Sequence, residues 1–194
     1  MPASHPSGAG GPTLLRTYES RYSEDLGCNI CEAARATSAA PSFFPAVRLG
    51  RLQRIFIDAG LGYNNPARVL LDEAERIWSS QLDPQNLTII SIGTGHLLNL
   101  PLKPSCLQKL LGRYDVIKTL KAISTECETT AEVVERDCLR RGYKYSRFNV
   151  REGLERIGLQ EWRKKDEIVA STDNYLHLNS VNCKIDAAVE SLKS

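Results

Sequence analysis

The chain has 194 residues, 42% of them hydrophobic, with 25 Lys and Arg against 23 Asp and Glu for a formal net charge of +2. That length suits one domain with a sizeable core, and the composition is that of a soluble globular protein. So small a charge excess argues against a nucleic-acid partner. No apolar run approaches the length that crosses a bilayer, and the N-terminus lacks the features of a signal peptide, so a cytoplasmic protein is expected.

Residues 1–12, "MPASHPSGAGGP", are rich in Pro, Gly, Ser and Ala without periodicity and read as a disordered or atypical leading segment. "TLLRTYES" (13–20) alternates as a strand, and the Ala-rich "NICEAARATS" (29–38) reads as a helix stopped by Pro41. "SFFPAVRLGRLQRIFIDAG" (42–60) carries loop and short-strand signals, the last strand being "RIFIDAG".

In "PARVLLDEAERIWSS" (66–80), Val69, Leu70, Ala74 and Ile77 recur at helical spacing, with Pro66 in the first turn. "NLTIISIGTG" (86–95) is a β-branched run opening into a glycine turn. Strand, helix, strand is the βαβ order, and a mixed or parallel sheet with flanking helices is its simplest architecture. A long helical stretch (105–142) ends at Gly142, "YKYSRFNV" (143–150) alternates as a strand, and "KKDEIVASTDNYL" and "KIDAAVESL" read as helices that close the fold.

Six cysteines, at 28, 31, 106, 127, 138 and 183, read as reduced thiols. Cys28 and Cys31 form a CxxC with no second pair at finger spacing, so they read as two small buried thiols on a helical turn rather than zinc ligands. No metal or cofactor is expected. The basic "RRGYK" and "EWRKK" have acidic neighbours and read as solvated helix faces. "SIGTG" lacks the Lys and Ser/Thr of a P-loop and reads as a closely packed turn. "PSFFP" reads either as core aromatics or as a lipid-facing patch.

For nucleophilic chemistry the histidine supply is poor: His5, His96 and His177 only. His96 follows the glycine turn, but no G-x-S-x-G exists to supply a serine for a triad. Asp58, ahead of Ala59 and Gly60, reads as a turn residue or cap on its own, or as a base waiting for a nucleophile.

Taken together, "EAARATSAAPSFFPAV" (32–47), "FIDAGLGYNNPA" (56–67) and "ISIGTG" (90–95) resemble the patatin-like phospholipase family, lipid acyl hydrolases that use a Ser-Asp dyad. "YKYSRFNV" and "TDNYL" look like it too, so the resemblance spans roughly 13–180. It implies a three-layer α/β/α domain over 13–194, Asp58 as the dyad carboxylate, and Asp58-Ala59-Gly60 in place of the family's D-G-G or D-G-A. It also implies a phospholipid or other acyl-lipid substrate and peripheral contact with membranes.

The family's glycine-rich oxyanion segment and G-x-S-x-G elbow belong upstream of "TLLRTYES", where "SGAGG" (7–11) is no substitute. The expectation is therefore an incomplete domain, its N-terminal strands and elbow missing, without acyl-hydrolase activity as a lone chain and prone to self-association through an exposed sheet edge. The alternative is a non-catalytic derivative that binds lipid surfaces or a protein.

Overall fold

A computed structural model describes residues 2–4, 11–20, 25–41, 43–78, 83, 86–95, 111–155, 157 and 161–193. The chain divides into two compact units, Met1–Pro66 and Ala67–Ser194.

In the first unit, β1 (Pro2–Ser4), β2 (Thr13–Leu14), β3 (Val47–Leu49) and β4 (Arg54–Asp58) form one sheet in the order β2-β1-β4-β3. Every pairing in it is antiparallel. Helix α1 (Ile30–Thr37) begins at Asn29, whose side chain accepts from the Glu32 N–H at 2.9 Å while Glu32 accepts from the Asn29 N–H at 2.9 Å. This reciprocal cap satisfies two donors that a helix start otherwise leaves open. The apolar side of the unit gathers Ala3, Ala36, Ala39, Val47, Leu49 and Phe56, with Phe56 fully buried on β4.

Two expectations change here. Residues 2–4, read from composition as disordered, are a strand, and Ala3 is fully buried opposite Asp58. The run 13–20 is strand only at Thr13–Leu14. Small residues lower local propensity, but a short backbone ladder and one buried methyl are enough to seat them against a strong neighbour such as β4.

In the second unit, α3 (Ala67–Trp78) follows the four-residue α2 (Gly60–Tyr63) of the first, and β5 (Thr88–Ile92) pairs in parallel with β6 (Lys144–Phe148). Between those strands runs α4 (Leu111–Arg141), which ends at Gly142 with φ +78°, a left-handed residue that glycine adopts without strain. After a single 3₁₀ turn at Trp162–Lys164 come α5 (Lys165–Leu176) and α6 (Asn179–Lys193).

Leu71, Ile89, Val134 and Cys138 pack with Ala67 as this unit's core. Asp137 of α4 accepts from Arg68 of α3 and from Arg140, and Glu75 accepts from Arg141.

The α/β class read from the sequence is what the structure shows. The strand partnering is not as expected. Within the first unit "RIFID" is an inner strand of an all-antiparallel sheet, and within the second unit "TIISI" pairs in parallel with "KYSRF". Strand order depends on long-range pairing that a local pattern does not encode.

Candidate functional site

β4 is a short strand with Phe56 buried on one face, and the guanidinium of Arg54 lies 5.5 Å from the Phe56 ring centroid. Alternation sends Asp58 to the same face as Phe56 and Arg54, at the strand's last position, where it is half-buried. Its backbone is held on two sides. It lies opposite Ala3 in the ladder, and its N–H donates to the Ala39 carbonyl at 3.1 Å.

The carboxylate is oriented from within the turn. Oδ1 accepts from the Gly60 N–H at 2.8 Å, the side-chain-to-backbone closure that Asp favours where a strand ends. Ala59 between them has φ −77° and ψ 0° and is almost fully buried, a conformation that any L-residue adopts. Alanine therefore fits where glycine was the expected residue.

Gly60 is the constrained position. A Cβ there would lie 3.3 Å from Asp58 Oδ1 and 3.7 Å from Asn64 Oδ1. Small size, rather than unusual backbone angles, is what the third residue of the motif supplies. Among the described residues no other donor bonds the Asp58 carboxylate, which leaves Oδ2 able to accept a proton from an incoming hydroxyl.

Sequence reasoning singled out Asp58, Ala59 and Gly60, and the structure brings them together with Ala39 of the "ATSAAP" run. That link, and the role of Asn29 and Glu32 in fixing the helix before it, were missed. The N-x-x-E spacing at 29–32 was the available signal.

Other candidates fall elsewhere. His5 and His96 lie outside the described residues. His177 caps the end of α5, with Nδ1 2.7 Å from the Asp173 carbonyl. "SIGTG" ends β5, and its two glycines are closely packed, Gly93 against Asn149 and Gly95 against Leu154. The Gly93 N–H donates to the Phe148 carbonyl at 2.7 Å, and the Gly95 N–H donates to Asn149 Oδ1 at 2.7 Å. Phe43 is half-buried and Phe44 is 63% exposed, so "PSFFP" does not supply the core with two aromatics.

The CxxC also differs from expectation. Cys28 precedes the cap of α1 and is half-buried, while Cys31 in its first turn is exposed. Among the described residues no group of three His, Cys, Asp or Glu is placed to hold a metal ion, and no helix is long and apolar enough to cross a membrane.

Residues 6–71 match the family model for patatin-like phospholipase. The chain is 35% identical over 88 residues to a cGAMP-activated phospholipase of Escherichia coli (strain TW11681), covering 44% of this chain and 25% of that protein. It is 29% identical over 104 residues to patatin-like protein 3 of Arabidopsis thaliana, covering 45% of this chain and 24% of that protein. The chain thus spans about a quarter of each of these relatives. No solved structure matches.

The matched region holds "RATSAAP", Asp58, Ala59 and Gly60, and ends before "ISIGTG", "YKYSRFNV" and "TDNYL". Residues 6–71 of this chain are thus similar to the patatin-like phospholipase family.

Proposed function

We propose that this chain carries the carboxylate half of a Ser-Asp acyl-hydrolase site, with Asp58 as the general base and an acyl-lipid ester, such as a phospholipid, as the substrate class. The observation that carries the reading is the fixed carboxylate. Oδ1 is tied to the Gly60 N–H, and the backbone is tied to Ala39.

In such a site the free oxygen takes the proton of a serine hydroxyl as its oxygen attacks the ester carbonyl. The same proton then goes to the departing alcohol. Water completes the cycle by attacking the acyl-serine, its proton passing through the same carboxylate.

The 194 residues contain no G-x-S-x-G, so the serine and the oxyanion donors of this reading come from outside them. The lone polypeptide is proposed to be inactive. The reading extends the family's domain from the matched residues over 13–194, with 1–12 as an atypical leading segment.

A second reading, a scaffold that binds lipid surfaces or a protein without catalysis, is favoured by exposed apolar side chains in the first unit. Phe44 is 63% exposed, Leu52 72% and Ile30 80%. Such side chains suit peripheral contact with a membrane from the cytoplasmic side. Self-association through a sheet edge belongs to both readings.

The test is a chimera in which the aligned segment of this chain replaces its counterpart in the E. coli phospholipase. Ester turnover by the chimera that Asp58→Asn lowers by roughly 10²–10⁴-fold, the usual contribution of a general base, supports the first reading. A chimera that folds and turns over ester equally well with and without Asp58→Asn excludes Asp58 as the base.

A further inference from the structure

Two thiols that the acyl-hydrolase reading does not use sit at the start of α1. Cys28 stands before the cap residue Asn29, is half-buried, and packs against the core of the first unit. Cys31 lies in the first helical turn and is exposed. Both line one open cleft of about 690 Å³, together with Arg16, Tyr18 and Ile30.

Cys28 lies outside the helix, one residue before the extended cap Asn29, so helical spacing does not set the distance between the two thiols, and a disulfide needs their Cβ atoms about 3.5–4.5 Å apart. Closure therefore asks a local rearrangement of residues 28–31, a half-buried to exposed segment whose two cysteines line the same cleft. The other described cysteines differ in kind. Cys127 and Cys138 are buried in α4, and Cys183 is exposed on α6 without a cysteine three residues away.

We propose that Cys28 and Cys31 form a redox-active dithiol that closes to an intrachain disulfide by exchange with a small-molecule disulfide. The exposed Cys31 thiolate attacks one sulfur of the external disulfide. Its S–S bond breaks, one thiolate leaves and takes up a proton, and Cys31 holds a mixed disulfide.

Cys28, sheltered beside it, then gives up its proton and attacks Cys31 Sγ, which expels the second thiolate. Two protein thiols are oxidised to one disulfide and the external disulfide is reduced to two thiols, so atoms and electrons balance. A disulfide of this kind, in a compartment that keeps thiols reduced, is characteristically transient or redox-sensing.

The ring so formed encloses Asn29, whose side chain caps the helix through Glu32. Oxidation thus pins the N-terminus of the helix that leads into Ala39, the residue whose carbonyl receives the Asp58 N–H.

The experiment exposes the full chain to excess oxidised glutathione, quenches with acid, alkylates the remaining thiols, and maps peptides by mass without reduction. The expected result is a wild-type peptide spanning residues 28–31 that is two hydrogens lighter and carries no adduct, while Cys183 in the same sample carries a glutathione adduct. In a Cys28→Ser variant, Cys31 retains its adduct. A wild-type peptide that keeps glutathione on Cys31, or that stays fully reduced while Cys183 reacts, overturns the proposal. The wild-type result decides even where the variant does not fold.

Discussion

The backbone N–H of Asp58 donates to the carbonyl of Ala39 at 3.1 Å. Nineteen residues apart in sequence, the two belong to the runs "RATSAAP" and "DAG", and the bond explains why these runs are informative as a pair. α1 must end where Ala39 can turn its carbonyl toward β4, and β4 must end where Asp58 can use it. Ala39 is only 1% exposed, so a larger residue there has no room. The first part of the motif sets the height of the strand end, and the second part orients the carboxylate on it.

Substitution of Gly60 should separate carboxylate geometry from stability. The first residue of α2 has ordinary backbone angles, so Gly60→Ala incurs no left-handed strain and gains up to about 1 kcal/mol of unfolded-state entropy. The new Cβ would nevertheless crowd Asp58 Oδ1 from 3.3 Å, which is tighter than ordinary contact. A thermal melt of the variant should match wild type to within about 1 kcal/mol. The chimera with the E. coli phospholipase should lose ester turnover. Undiminished turnover would show that the Oδ1 seat is irrelevant to the chemistry.

Ala59 should behave in the opposite way. Its backbone does not need glycine, so Ala59→Gly, which restores a D-G-G sequence, only adds chain entropy. The expected cost is about 0.5–1 kcal/mol, with no gain of activity in the chimera. A stabilised Ala59→Gly protein would contradict the backbone angles seen here.

Much of the chain was legible because its helices are periodic and punctuated. Pro66, Asn29 and Gly142 mark helix ends that the structure places at Ala67, Ile30 and Arg141. The strands "RIFID", "TIISI" and "KYSRF" were equally plain. What the sequence did not show is partnering. Nothing local in Pro2–Ser4 announces a strand, because its order comes from β4 rather than from its own residues. Nor does "TIISI" reveal that its partner lies beyond a helix of 31 residues. The Asp58 site was legible as a string, but the Ala39 carbonyl that fixes it was not.

Alkaline pH should destabilise the second unit. Burial, and next the neighbouring Asp137, push the Cys138 thiol above its ordinary value of 9.0. Burial likewise pushes the Tyr145 phenol above 10.0. In each case the folded chain retains a proton that the unfolded chain releases as pH passes the ordinary value. The stability this provides is complete below the unfolded pKa and is lost as pH rises above it. Melting temperature should hold steady up to roughly pH 8.5 and then fall toward pH 10.5. Cys138 should also react with a thiol reagent far more slowly than Cys183. A melting temperature that rises through this window would refute the assignment.

The exposed face of β5 is where self-association should be seen. Ile92 is 79% exposed and Ile90 40%, on a strand that carries no charge and no proline. A parallel pair of five-residue strands is a small sheet, and such short apolar edges invite further pairing unless a charge blocks them. Ile92→Lys places that charge without touching the buried Ile89. The substitution should leave helix content and the melting transition within about 0.5 kcal/mol of wild type, as for surface changes generally. It should also lower the mass found by light scattering at high protein concentration. Wild-type protein that remains monomeric at those concentrations removes the proposed self-association. A mass unchanged by Ile92→Lys places the contact on another surface.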